Sequence, residues 1–272
     1  MRVSAVCPPS VTLLLSAVAV GSLAGCTAAR EEARWGAAVT VQPGWRSAED
    51  AAVAAASDEG VWIPLAGAIL LQFGDFDRRV SDWARDHTPI AGSNDRAADL
   101  SDRLLDASRA SYWITIVASV SGDDTGSWVS DKLQGTALGL VATNVPAGAT
   151  WALKQVTDRR RPDGSDRLSF PSGHASYSTA HATLAGRTLP FIRMRPRARS
   201  GCELALLTMT IGCAWCRVEA GKHYPSDALA GIALGRFLAA FLEDAFTQGS
   251  RRSASGVAIV GDSERLGVRF TF

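Results

Sequence analysis

The segment Cys216-Arg217-Val218-Glu219-Ala220-Gly221-Lys222-His223-Tyr224-Pro225-Ser226-Asp227 decides how this chain is read. Helical periodicity runs up to it over Glu203–Val218 and resumes beyond it over Asp227–Thr247. Ser226 suits an N-cap for the second helix, which places His223 in the turn just before it. A carboxylate four residues after a histidine can accept its ring N–H and fix the tautomer, leaving the other ring nitrogen a free lone pair. Arg217 adds a cation. Taken alone, the segment also fits a capped helix with a structural His–Asp pair.

Two further clusters lie upstream. In Phe170-Pro171-Ser172-Gly173-His174, Pro171 fixes the approach and Ser172 can cap a helix that begins at Gly173 or His174. Gly173 lets a ligand come close to the main chain, and free N–H groups at a helix N-terminus cradle an anion. His174 then lies where a proton could reach a leaving oxygen. In Lys154-Gln155-Val156-Thr157-Asp158-Arg159-Arg160-Arg161-Pro162, Lys154 sits near a helix C-terminus and Arg161 is extended before proline. A guanidinium fork and an ammonium point charge aimed at one phosphate is a usual division of labour.

Together the clusters resemble the signature of the type-2 phosphatidic-acid phosphatase superfamily: Lys-x6-Arg-Pro, then Pro-Ser-Gly-His, then Ser-Arg-x5-His-x3-Asp. Spacing and order agree, and only Cys216 departs, standing where the pattern has serine. The resemblance covers Lys154–Asp227. It implies an all-α bundle of the acid phosphatase–haloperoxidase type that hydrolyses phosphomonoesters or lipid (di)phosphates without a metal. It implies His223 as a nucleophile forming a phosphohistidine, Asp227 as its orienting partner, and His174 as the acid that protonates the leaving alcohol. Lys154, Arg161, Arg217, Ser172 and the Gly173 amide would hold the phosphate oxygens. No cofactor is expected, and no acidic cluster resembles a magnesium or calcium site. Two other readings are a vanadate-dependent haloperoxidase, which shares the constellation, and a non-catalytic envelope lipoprotein that binds phosphate head groups.

Working outward, helices are expected over Val61–Phe73, Asp75–His87, Asp95–Ser108, Tyr112–Val120, Val129–Thr143, Ala147–Val156 and His174–Gly186. Gly135–Leu153 is uncharged but holds Pro146 and several threonines, which fits a buried core hairpin as well as a membrane span. Gly256–Val260 and Leu266–Phe272 flank Gly261-Asp262-Ser263-Glu264 and read as a short β-hairpin. His181, seven residues beyond His174, either shares its face or is a core histidine. His87 suits a helix C-terminus. Trp151 and Trp215 are close enough in sequence to the motifs to line a pocket.

The first residues resemble a lipoprotein leader: Arg2, an apolar run over Val11–Val20, then Leu23-Ala24-Gly25-Cys26. The expected organisation is a signal peptide over 1–25, a lipidated tether over 26–58 beginning at Cys26, a helical phosphatase domain over 59–248 and a tail over 249–272. The anchor implies the periplasmic face of a bacterial envelope, at the outer membrane, with a phosphate-ester or phospholipid-type substrate. The formal net charge of +1 gives no global basic field for nucleic acid. Cys213 and Cys216, one helical turn apart, are poorly placed to bridge each other, and a Cys202 bridge to either stays open. Of 28 basic side chains only three are lysines, so a lysine at a special place carries weight.

Overall fold

A computed structural model describes residues 34–247, together with the backbone of 256–261 and 266–271. Among the described residues eight α-helices make up the bundle: α1 (Trp45–Ala56), α2 (Glu59–Leu70), α3 (Phe76–His87), α4 (Asn94–Ala118), α5 (Thr125–Thr157), α6 (Gly173–Thr188), α7 (Pro196–Glu219) and α8 (Pro225–Ala245). The all-α expectation holds. Strand β1 (Gly256–Gly261) pairs antiparallel with β2 (Leu266–Thr271). The leader, Cys26 and the segment joining the two strands lie outside the described residues.

Helix α8 is the centre of the bundle, packed by α1, α2, α5, α6 and α7, while α4 lies across α6 and α7. Small residues make this possible. A Cβ on Gly231 would fall 2.5 Å from the Ser172 carbonyl oxygen, and one on Gly235 2.2 Å from that of Ser176. Helices α6 and α8 therefore touch backbone to side, where any larger residue would wedge them apart. The main apolar cluster, with Trp35, Tyr112, Ile116, Leu184, Leu189 and Leu242, fills one end. A smaller cluster of Ala84, Ala175, Ala214, Val218 and Ala228 fills the other.

Three expectations need correction. Residues 34–58 are not a loose tether: Trp35 is buried in the main cluster, and α1 lies on α8 through Ala51 and Ala55. Its buried face is made of alanines, which carry little apolar signal. The two helices expected over 95–120 are one, α4. The two expected over 129–156 are also one, and no core hairpin forms. Helix α5 runs for 33 residues through Pro146, which is buried against the bundle. Tertiary packing there outweighs the hydrogen bond that proline removes.

The outer faces of several helices are apolar. Trp62, Ile69, Trp113, Val117, Leu133, Leu140, Trp151, Leu204 and Ile211 are all exposed. Among the described residues α7 is long and apolar enough to cross a membrane, as are α1 and α2 together if their 55° bend is one broken span.

Candidate active site

All three sequence clusters meet at the end of the bundle above the smaller apolar cluster. Helix α5 brings Lys154 into its last turn and stops at Asp158, whose left-handed backbone (φ 43°) returns its N–H to the Lys154 carbonyl. The connection to α6 is tied down at several points. Arg161 donates its backbone N–H to the Asp166 carbonyl at 3.0 Å and its Nε to the Asp166 carboxylate at 2.6 Å. The Asp163 N–H reaches the Gly221 carbonyl, and Lys222 pairs with the Asp163 carboxylate at 2.7 Å. Gly221 has φ +68°, a turn conformation that glycine adopts without strain. This locks the Arg161 loop to the turn that carries His223.

Ser172 caps α6 as expected, accepting the Ala175 N–H on its hydroxyl. The first intrahelical bond is donated by Ser176, so the Gly173 and His174 amides precede the helix's own ladder. Arg217 arrives in the last turn of α7, buried, with one NH donating to the Ser101 hydroxyl at 3.2 Å. Its Nε is buried without a hydrogen-bond partner. A guanidinium left short of acceptors in a buried site is suited to a ligand that carries them.

His223 is 2% exposed, and its Nδ1 donates to the Ser169 carbonyl at 2.6 Å, leaving Nε2 as the lone-pair nitrogen. Burial holds its pKa well below the usual histidine value, and Lys154, Arg217 and Arg161 lower it further. The same cations press on one another. Burial pushes the Lys154 ammonium down to about 8, and Arg161 and Arg217 add to that, against Asp227 and Asp166. Its Nζ donates to the Leu168 carbonyl. Burial and Arg217 also lower His174, while Asp102 opposes them through a 2.7 Å contact to Nε2.

The expected direct bond between His223 and Asp227 does not form. Their closest approach is 4.0 Å, because the Ser169 carbonyl has taken Nδ1. The Asp227 carboxylate instead accepts the Ser169 hydroxyl at 2.5 Å, the Tyr224 N–H at 2.9 Å and Arg159 at 2.6 Å. Ser226 is not the N-cap either. Tyr224 holds that position, and the Ser226 hydroxyl is turned to Asp77. His181 packs edge-on against Tyr112 in the core, and Trp151 is exposed. Trp215 donates its ring N–H to Glu219. Cys202, Cys213 and Cys216 are all free thiols, Cys216 being buried beside Arg217.

Sequence reasoning missed Ser101, Asp102, Asp77, Arg159 and Ser169. The first three come from α3 and α4, far away in the chain, with no local motif. Arg159 stood inside a run of three arginines that looked like a solvated loop. Ser169 contributes a backbone carbonyl, which leaves no mark in a sequence.

The arrangement is a helical bundle that gathers three cations, helix-end amides and two histidines at one end, groups of the kind that can hold an anion. Residues 135–248 match the family model described as the PAP2 superfamily. It is similar to a decaprenylphosphoryl-5-phosphoribose phosphatase of Mycobacterium tuberculosis, 34% identical over 104 residues, which is 34% of this chain and 50% of that protein. It is also similar to a lipid A 1-phosphatase of Rhizobium etli, 36% identical over 92 residues, 30% of this chain and 38% of that one. The chain thus spans about half the length or less of these curated relatives. Among solved structures, a transmembrane PAP2-type phosphatidylglycerolphosphate phosphatase from Bacillus subtilis matches with a TM-score of 0.49 at 18% identity, covering 68% of this chain and 92% of that one.

Proposed function

We propose that this chain is a phosphatase of lipid phosphates, acting through a phosphohistidine on His223. The observation that carries the reading is the convergence of Lys154, Arg161 and Arg217 on a buried, neutral histidine whose Nε2 is free. Arg161 and Arg217 both press on the Lys154 ammonium, so the cluster is costly to hold together without an anion. A phosphate monoester or diphosphate brings the missing charge and the acceptors that the Arg217 Nε lacks.

In this mechanism the phosphate oxygens lie between the three cations, the Ser172 hydroxyl and the Gly173 amide. The His223 Nε2 lone pair attacks phosphorus, the P–O bond to the leaving group breaks, and His174 gives that oxygen its proton. His174 then takes a proton from water, whose oxygen attacks phosphorus, and the P–N bond breaks to release inorganic phosphate. The proton on His223 Nδ1 stays with the Ser169 carbonyl throughout. Burial alone leaves His174 poorly protonated at neutral pH, but Asp102 and the incoming phosphate dianion both favour its charged form.

Both curated relatives named above act, by their names, on phosphates carried by lipids. The exposed apolar faces of α2, α4, α5 and α7 support the same substrate class here, because they suit a membrane setting. We extend the proposal to the leader: Cys26, after a signal peptide over 1–25, carries a lipid anchor on the periplasmic side.

The test is hydrolysis by the full chain, with EDTA present, of p-nitrophenyl phosphate, phosphatidic acid and a polyprenyl diphosphate, each beside His223→Ala. Vanadate-sensitive phosphate release, fastest on the lipids and lost in the variant, is the expected result. Release that survives His223→Ala would sink the mechanism.

A further inference from the structure

A partly buried ionic chain runs from α3 to the candidate nucleophile, and two of its members, Asp77 and Arg159, have no role above. Arg159, in the loop after α5, bridges two carboxylates. One NH group reaches Asp227 at 2.6 Å and the Ser226 hydroxyl at 2.9 Å, and the other reaches Asp77 at 2.7 Å. The guanidinium lies over Tyr224, 4.3 Å from the ring centre. Asp77 is buried and closes the far side, accepting the Ser226 N–H at 2.8 Å and the Ser226 hydroxyl at 2.5 Å. Asp77 belongs to α3, outside residues 135–248.

The near side of the chain ends on Ser169, a fully buried residue held from two directions. Its N–H donates to the Arg159 carbonyl at 2.9 Å, and its hydroxyl donates to Asp227 at 2.5 Å. What remains is its carbonyl oxygen, aimed at His223 Nδ1 at 2.6 Å. Asp227 comes no closer than 4.0 Å to that nitrogen, too far for a hydrogen bond. Its influence on the histidine therefore passes through the serine it grips.

We propose that Arg159 and Asp77 are positioning residues that act on His223 through Asp227 and Ser169, fixing the proton on Nδ1 and the lone pair on Nε2. This inference rests on the reading of His223 as the nucleophile. The physical case is one of balance. Asp227 is fully buried, and a buried carboxylate stays ionised only while a cation and hydrogen bonds compensate it. Arg159 is that cation. Asp77 keeps Arg159 in place, because a planar fork that pairs with two carboxylates has one geometry open to it. Remove either, and Asp227 is free to shift or take a proton, Ser169 loses its grip, and the imidazole can exchange tautomers. In the wrong tautomer, Nε2 carries the proton and cannot attack.

The test is the imidazole spectrum of the full chain labelled with 15N-histidine, read for wild type, Arg159→Gln, Arg159→Lys and Asp77→Asn. Wild-type His223 is expected as a single tautomer, protonated on Nδ1. Arg159→Gln and Asp77→Asn are expected to show a mixture, and Arg159→Lys a smaller shift in the same direction. Turnover should fall on the order of ten- to a hundredfold for Arg159→Gln with KM little changed, the scale found when an outer partner of a functional histidine is removed. The isosteric Asp77→Asn covers the case in which Arg159→Gln does not fold. A pure Nδ1–H tautomer in every folded variant overturns the proposal. If wild type cleaves no phosphate ester, the nucleophile reading fails, while the spectra still decide whether the ionic chain sets the tautomer.

Discussion

Two lysines on one helix, 22 residues apart, mark the two ends of this molecule. Lys132, near the start of α5, is buried at the end of α4. Its ammonium donates to the Ile116 and Ser119 carbonyls and to the Ser119 hydroxyl, and it faces the rings of Trp35 and Trp128. An ammonium has three donors, and all are used. It caps α4, where the helix dipole favours a cation. Lys154, near the other end, donates to the Leu168 carbonyl, and its strongest charged neighbour is another cation, Arg161. Arginines repeat the contrast: Arg187 is paired with Glu243 and Asp244, whereas Arg217 is left with a buried Nε unmatched. A cation whose donors are spent holds the fold. A cation held among like charges marks where a ligand belongs.

The contrast can be broken most directly at Lys154. Lys154→Ala is expected to lower kcat/KM by on the order of 10²–10³, the scale for losing one preorganised donor at a developing charge, with thermal stability unchanged or improved. Loss of activity together with loss of folding would erase the distinction between the two lysines. Next, orthovanadate should stabilise wild type and not Lys154→Ala. At a concentration of about 100 times Kd the gain is about 2.7 kcal/mol, readable as a rise in Tm. An equal rise in both proteins would place the anion elsewhere.

At the other end, Lys132→Met should cost about 1–3 kcal/mol, because it orphans buried carbonyls at the end of α4. Activity per folded molecule should stay the same, and a fall in kcat at fixed folded fraction would contradict the assignment. The smallest effect is in pH. Lys154 is lowered to about 8 from an ordinary 10.5, so between those values the unfolded chain binds the extra proton. Stability should therefore gain a rising contribution as pH climbs from about 8 towards 10.5, absent in Lys154→Met. The free enzyme's kcat/KM should fall over the same range as the ammonium is lost. An alkaline limb unchanged in Lys154→Met would assign it to another group.

How much of this was legible in the sequence follows from what each residue does locally. Lys154, Arg161, Ser172, His174, Arg217, His223 and Asp227 sit at helix ends with fixed spacings, so chain order alone brought them into view. Helix α3, with a one-sided apolar pattern, and helix α6, marked by its Ser172 cap, were also legible. Helix α1 was not, because its buried face is made of alanines while its large apolar residues, Trp45 and Val53, are exposed. Pro146 and Asn144 signalled a break in α5 that packing overrode. Asp77, Ser101 and Asp102 are solvated helix residues by any local measure, and only the tertiary fold turns them towards the site. The sequence pairing of His223 with Asp227 found the right residues but the wrong contact, since the intervening Ser169 carbonyl belongs to no pattern.

The contact of Gly231 with the Ser172 carbonyl has a further consequence. Ser172 stands two residues from His174, and Gly231 stands four from Asp227, so the spacing between His174 and the turn that carries His223 is gauged by main-chain atoms meeting a hydrogen. Side chains can adjust by changing rotamer, but a gauge without side chains has no slack. The dimension that the chemistry depends on is thereby insulated from drift elsewhere in the bundle and exposed at one point, a single methyl group on α8.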